Sequence, residues 1–175
     1  MKTYLNSAVK RFEYYKTLGE KTFEQVSDDG LFWQYNEESN SIAMIVQHLA
    51  GNMLSRWTDF LNSDGEKIGR NRDAEFEPAI NNRVELLEKW NAGWACMLNG
   101  LQSITEKDWD KTVYIRGESH TVVDAINRQL AHVPYHIGQI VFIGKMIAGE
   151  KWRSLSIPKG DSESFNQKMS ANRLK

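Results

Sequence analysis

Two of the four histidines, His132 and His136, stand four residues apart in Gln129-Leu130-Ala131-His132-Val133-Pro134-Tyr135-His136-Ile137-Gly138-Gln139. On an α-helix that spacing puts both imidazoles on one face, with Cβ atoms about 5–6 Å apart. They can share one ion. A third histidine, His48, lies far upstream in the apolar stretch Ser41-Ile42-Ala43-Met44-Ile45-Val46-Gln47-His48-Leu49-Ala50-Gly51-Asn52. If the two helices pack together, three neutral imidazoles converge and leave a coordination position open, the arrangement of catalytic rather than closed structural zinc sites. An open position takes water or a thiol, and either becomes a nucleophile near neutral pH. The competing reading makes them ordinary core or edge residues, since an i, i+4 pair is a common accident. Both helices are the most apolar in the chain, however, and the rings have no obvious carboxylate partners, so a metal would satisfy nitrogens otherwise stranded.

Around this trio the sequence offers few further groups. Arg128 lies one turn before His132 and can receive a substrate carboxylate, the alternative being a solvated ion-pairing residue. Asn52 and Ser55 are the polar residues on the face of His48, which makes Asn52 a second substrate-binding candidate. Gln139 can orient a histidine from behind. Tyr135 falls off that face, and His120, beside a turn, is expected to be exposed. Pro134 removes a backbone hydrogen bond between the two histidines and frees the carbonyl of Leu130. No convincing general base is in view. Asp59 and Glu66 lie beyond the reach of helix geometry unless their loop folds back.

The elements that must position these residues are helical. Tyr4, Leu5, Ala8, Phe12 and Tyr15 recur at three- and four-residue steps, and the helix they mark is expected to run past Gly19 to Val26 before Asp28-Asp29-Gly30. Leu31 to Tyr35 reads as an extended connection carrying core aromatics. A second helix spans about Ser41 to Thr58, capped from Ser39 or Asn40. From Asp59 to Pro78 periodicity fails, and the long loop is a salt-bridged tie between helix ends, a lid or a partner surface. Pro78 suits the first turn of a third helix whose buried stripe is Ile80, Val84, Leu87, Trp90 or Asn91, Trp94, Met97, Leu98 and Leu101, with Ala92, Gly93 and Ala95 permitting close approach. Thr112 to Arg116 alternates like a strand and Gly117-Glu118-Ser119 turns it back. Thr121 opens the fourth helix, which continues to Ala148. Trp152, Leu155, Ile157 and Phe165 suggest a docked tail, with residues 170–175 fraying. Four long helices with roomy connections predict an all-α four-helix bundle in one domain, residues 1–175.

Charge and composition narrow the partners. The 22 basic and 23 acidic residues nearly cancel and form no block of like charge, which argues against nucleic acid or an anionic membrane surface. Cys96 is the only cysteine, so no intrachain disulfide forms, and it reads as a small core residue. With no apolar leader and no run of about 18 apolar residues, the chain is expected to be soluble and cytoplasmic.

His48 followed by His132-Val133-Pro134-Tyr135-His136 resembles the histidine triad of the DinB/YfiT-like metalloenzyme superfamily. Gly51 to Leu61, Asp64-Gly65-Glu66-Lys67, Arg70 to Phe76 and Leu155-Ser156-Ile157-Pro158 are similar to a small bacterial branch of DinB-like proteins. The resemblance implies a DinB-like four-helix bundle, a divalent ion such as nickel or zinc on His48, His132 and His136, and a homodimer. Relatives of that superfamily include bacillithiol S-transferases and mycothiol-dependent isomerases. It therefore implies thiol-dependent transfer to a small electrophile, with a low-molecular-weight thiol as partner. Metal-dependent hydrolysis and a non-catalytic, metal-stabilised stress or binding protein are the alternatives, because a shared fold does not transmit a reaction.

Overall fold

The computed structural model describes residues 2–172. Four long helices carry the fold: α1 (Lys2–Phe23), α3 (Ile42–Trp57), α4 (Arg83–Gln102) and α5 (Val122–Ala148), with a single turn of helix, α2 (Asp28–Leu31), after the first. A two-residue turn joins the short antiparallel strands β1 (Thr112–Ile115) and β2 (Glu118–Thr121), which pair Ile115 with Glu118, and a last helix, α6 (Ser162–Asn172), follows α5. The architecture is an all-α bundle. No helix among the described residues is long and apolar enough to cross a membrane.

Packing follows the apolar stripes. α3 lies along α4, α1 along α5, and α3 also meets α5, which brings the histidine-bearing helices together. Between them Phe12, Val46, Leu49, Met97, Ile126 and Val133 are sealed from solvent. Each such side chain contributes about 1.5–3 kcal/mol through removal of apolar surface from water. Of the three small residues expected to allow close approach on α4, only Gly93 does so. A Cβ there would sit 2.8 Å from the Cα of Ala50, whereas Ala92 and Ala95 face solvent.

Several boundaries differ from expectation for identifiable reasons. α1 stops at Phe23, and Ser27 caps the separate turn α2 by accepting from Gly30 N. That turn includes Leu31, so the extended connection begins later, and Trp33 and Tyr35 are exposed rather than core. Ser41 itself caps α3, accepting from Met44 N at 3.2 Å in place of Ser39 or Asn40. α4 starts at Arg83, not at Pro78, because Asn82 supplies the N-cap by accepting from Glu85 N. Leu86 then takes the buried position and Val84 turns outward. Cys96 is half-buried, with Sγ 3.5 Å from Thr58 Oγ1. The tail docks only at its beginning: Trp152 approaches Gly144 and Arg153 N donates to Gln25 Oε1 at 2.7 Å. Phe165 lies exposed on α6, residues 170–172 are helical, and 173–175 fall outside the described residues.

The hairpin is locked to the long loop by Asp64. Arg116 and Gly117 both have positive φ, as a tight two-residue hairpin turn requires. Asp64 Oδ1 accepts from Arg116 N at 2.8 Å and Glu66 N at 2.7 Å, and Oδ2 accepts from Gly117 N at 2.7 Å. These backbone bonds, that from Glu66 foremost, hold the carboxyl below its usual pKa. A depressed carboxylate pKa stabilises the fold above the unfolded value near 4, and this contribution is lost as pH falls through the folded one. Asp64→Ala should therefore destabilise by on the order of 2 kcal/mol at pH 7. Urea unfolding should show the difference shrinking towards pH 3.

Candidate metal centre

His48 sits in the middle of α3, and His132 and His136 occupy successive turns of α5 on the side facing it. α5 runs unbroken through Pro134, so the proline leaves the i, i+4 spacing intact. The rings approach edge to face with centroids 4.6–5.2 Å apart. One nitrogen of each lies within 4.8 Å of the other two. His48 Nε2 and His132 Nε2 are 3.1 Å apart. Two nitrogens bonded to one zinc at 2.0–2.1 Å in tetrahedral geometry would be about 3.3 Å apart, so the spacing of this pair fits a shared ion.

The tautomers are set from behind. A carboxylate can only accept, so His48 Nδ1–H donates to Glu75 Oε2 at 3.0 Å and turns the Nε2 lone pair towards its neighbours. His136 Nδ1–H donates to Gln139 Oε1 at 3.0 Å with the same result. His132 Nδ1 is buried with no partner among the described residues. If that nitrogen carries the proton, two lone pairs oppose each other at 3.1 Å. If Nε2 carries it, a buried acceptor is stranded. A cation at the Nε2 atoms removes the lone-pair conflict, and the donor set of neutral imidazoles suits zinc or nickel. Burial, followed by the charges expected on His136 and His48, pushes His132 down to about 3. Burial is also the main cause that lowers His136. Rings held neutral are rings ready to ligate.

The expectation that the histidines lack a carboxylate is corrected by Glu75. The loop after α3 folds back over the site: Ser55 Oγ donates to Gly65 O at 2.8 Å, and Gln47 Nε2 donates to Ala74 O at 2.8 Å and Glu77 O at 3.1 Å. A 3-10 turn, Asp73–Phe76, then delivers both Glu75 and Phe76, whose ring stacks on His48 at 4.8 Å. Gly51 makes room for this approach, since a Cβ there would lie 2.8 Å from Glu75 Cδ. Burial would raise the Glu75 pKa, but the bonds from His48 and Arg70 outweigh it and hold the carboxyl below its usual range. Arg70 donates to Glu75 through Nε at 2.7 Å and Nη2 at 2.8 Å, and through Nη1 to Glu66 at 3.1 Å. The loop is thus the salt-bridged tie expected of it, and it also supplies part of the site.

The other candidates fall as follows. Asn52 is buried beside His48 and accepts from Gln129 Nε2 at 3.2 Å. Arg128 is exposed at the mouth of a cavity of about 470 Å³ that His48, His132 and Asn52 also line. Tyr135 does not point away. It lines the same cavity, its ring 4.9 Å from that of His136, because a residue three on from His132 shares that side of the helix. His120 is buried rather than exposed, on β2, its Nδ1 2.5 Å from Oδ2 of Asp124 in the first turn of α5. It lies outside the cluster of three. Asp59 takes no part, and Glu66 reaches the surroundings only through Arg70 and Arg116.

No curated protein and no solved structure matches the chain. The pattern of one family, described as "Protein of unknown function (DUF1572)", matches residues 1–161, and the chain belongs to that family.

Proposed function

We propose that this protein is a divalent-metal-dependent enzyme of the DinB/YfiT-like class that transfers a low-molecular-weight thiol to a small electrophile. The observation that carries the reading is the set of three converging histidines, two with their Nδ1–H groups bonded from behind, of which His48 and His132 line a cavity of about 470 Å³. A closed structural site would have a fourth protein ligand. Nickel or zinc held by His48, His132 and His136 would act as a Lewis acid, lowering the pKa of a coordinated thiol or water.

The chain's own groups supply the rest. Glu75 and Gln139 fix ring orientation, Phe76 shields one face of His48, and Asn52 and Gln129 present amide groups to the cavity. Thiol transfer is favoured over hydrolysis because no lining residue is a carboxylate free to act as general base. The nearby acids, Glu66 and Glu75, are both paired with arginine. A thiol needs only to lose its proton to become a strong nucleophile, whereas hydrolysis gains most from a positioned base.

The test is conjugation of 1-chloro-2,4-dinitrobenzene with a series of low-molecular-weight thiols by zinc- or nickel-loaded protein. We expect a metal-dependent rate that falls at least about a hundredfold in His48→Ala, the scale of removing a main electrostatic contributor to catalysis. A rate equal to that of the variant with every thiol would overturn the reading. Turnover without thiol would convert it to hydrolysis.

A further inference from the structure

Five arginines, Arg56, Arg70, Arg72, Arg116 and Arg128, line the cavity beside the histidines, and no aspartate or glutamate lines it. They come from four separate parts of the fold: Arg56 from α3, Arg128 from α5, Arg70 and Arg72 from the folded-back loop, and Arg116 from the hairpin turn. The acids behind them are already committed. Arg70 is held by Glu75 and Glu66, and Arg116 by Glu66 at 3.3 Å. Arg56, Arg72 and Arg128 have no ion-pair partner among the described residues.

Arg56 is the most telling of them. Its Nη1 is buried and makes no hydrogen bond among the described residues. Burial is the largest cause that lowers its pKa to about 10, and repulsion from Arg70, Arg128 and Arg116 adds to it, against attraction from Glu66 alone. A buried, unpaired guanidinium N–H is costly, and a protein that keeps one beside other arginines has a strong local demand for an anion. Guanidinium forks match carboxylate and phosphate oxygens in pairs, and a concave wall of one sign concentrates the field on its contents. The cavity's size suits a small ligand rather than a chain segment.

We infer that this cavity recognises a small molecule carrying at least two negative charges, a dicarboxylate or a phosphate ester, gripped by Arg56 and Arg128 with its reacting end towards His48 and His132. The inference deepens the proposed function by naming the charge class of its substrate, and rests on that reading for what happens to the molecule once bound. Capture of the anion rests on the arginines alone. Arg72, exposed at the rim, steers it inward.

Calorimetric titration of the full-length protein with succinate, inorganic phosphate and uncharged succinamide tests this, alongside zinc titration of every variant. We expect succinate or phosphate to bind saturably and more weakly at high salt, with succinamide not binding. Affinity should fall about tenfold or more in Arg56→Gln and in Arg128→Gln and stay unchanged in Arg153→Gln, outside the cavity. Arg128 is exposed, so its variant carries the test even if Arg56→Gln folds poorly. Stronger binding of phosphate than of succinate would select the phosphate ester, and the reverse the dicarboxylate. Dianion binding no better than succinamide, or equal losses in Arg128→Gln and Arg153→Gln, would overturn the inference. Unchanged zinc affinity in that case would leave the metal reading standing. Lost zinc binding with intact anion binding would remove the metal reading instead.

Discussion

Zinc or nickel added to metal-free protein should raise its Tm by roughly 8–16 °C. A ligand that binds only the folded state at a thousand times its Kd adds about 4 kcal/mol of stability, and a chain of this size gains about 2–4 °C per kcal/mol. The unfolded chain cannot compete well, because His48 lies 84 residues from His132 and meets it only when α3 packs on α5. Each of His48→Ala, His132→Ala and His136→Ala should abolish most of that rise. Loss of a direct ligand must exceed the tenfold to hundredfold weakening that follows loss of an outer partner. The metal-free variants should still fold, and His132→Ala in particular should lose little, since it removes a ring whose Nδ1 has no partner. Thermal scans against metal concentration at pH 7.5, with isothermal titration for affinity, read both effects. An equal rise in the wild-type and His48→Ala proteins would place binding elsewhere and withdraw the functional reading.

The parts of this site that obey helical periodicity were legible before any coordinates. His132 and His136 declare themselves by spacing, and His48 by its place in an apolar helix that has to be central. Gln139 follows from His136 by the same arithmetic, three residues along one face. Glu75 does not. Its partnership with His48 spans 27 residues and depends on a loop with no periodic signal, held down by hydrogen bonds to the side chains of Gln47 and Ser55. Gly51 was the available clue: a glycine one turn after His48, inside an otherwise strong helix, marks a place where something else comes close. Of the arginines, helical spacing pointed to Arg128 alone, and the other four were hidden for a related reason. Near-zero net charge over the chain says nothing about five guanidiniums gathered from separate elements into one wall. Helix starts failed where two start signals competed, as with Pro78, suited to a first turn, against Asn82, able to cap, since the residue that caps is chosen by the path of the incoming loop.

Glu75→Ala should be the most damaging single substitution outside the three histidines. The carboxylate is buried and accepts from His48 Nδ1 at 3.0 Å while binding Arg70 through two nitrogens at 2.7 and 2.8 Å. Its removal strands a buried imidazole N–H and leaves Arg70, equally enclosed, with Glu66 as its only ion-pair partner among the described residues. Breaking one side of a buried ion pair typically costs about 3–5 kcal/mol. Freeing the His48 ring to change tautomer and tilt should weaken metal binding about tenfold to a hundredfold as well. Glu75→Gln separates the two effects. Its carbonyl oxygen, placed where Oε2 lies, can still accept from both His48 Nδ1 and Arg70 Nη2, whereas the amide nitrogen confronts Arg70 Nε and the charge is lost, so metal affinity should recover more than stability. Gly51→Ala supplies a third arm, because a methyl group 2.8 Å from Glu75 Cδ pushes the carboxylate away without changing any donor or acceptor. If the carboxylate orients His48, Gly51→Ala should lower metal affinity in the same direction as Glu75→Ala. Wild-type affinity in both would assign the ring's orientation to the stack on Phe76, and Phe76→Ala would then be the variant that loosens the metal.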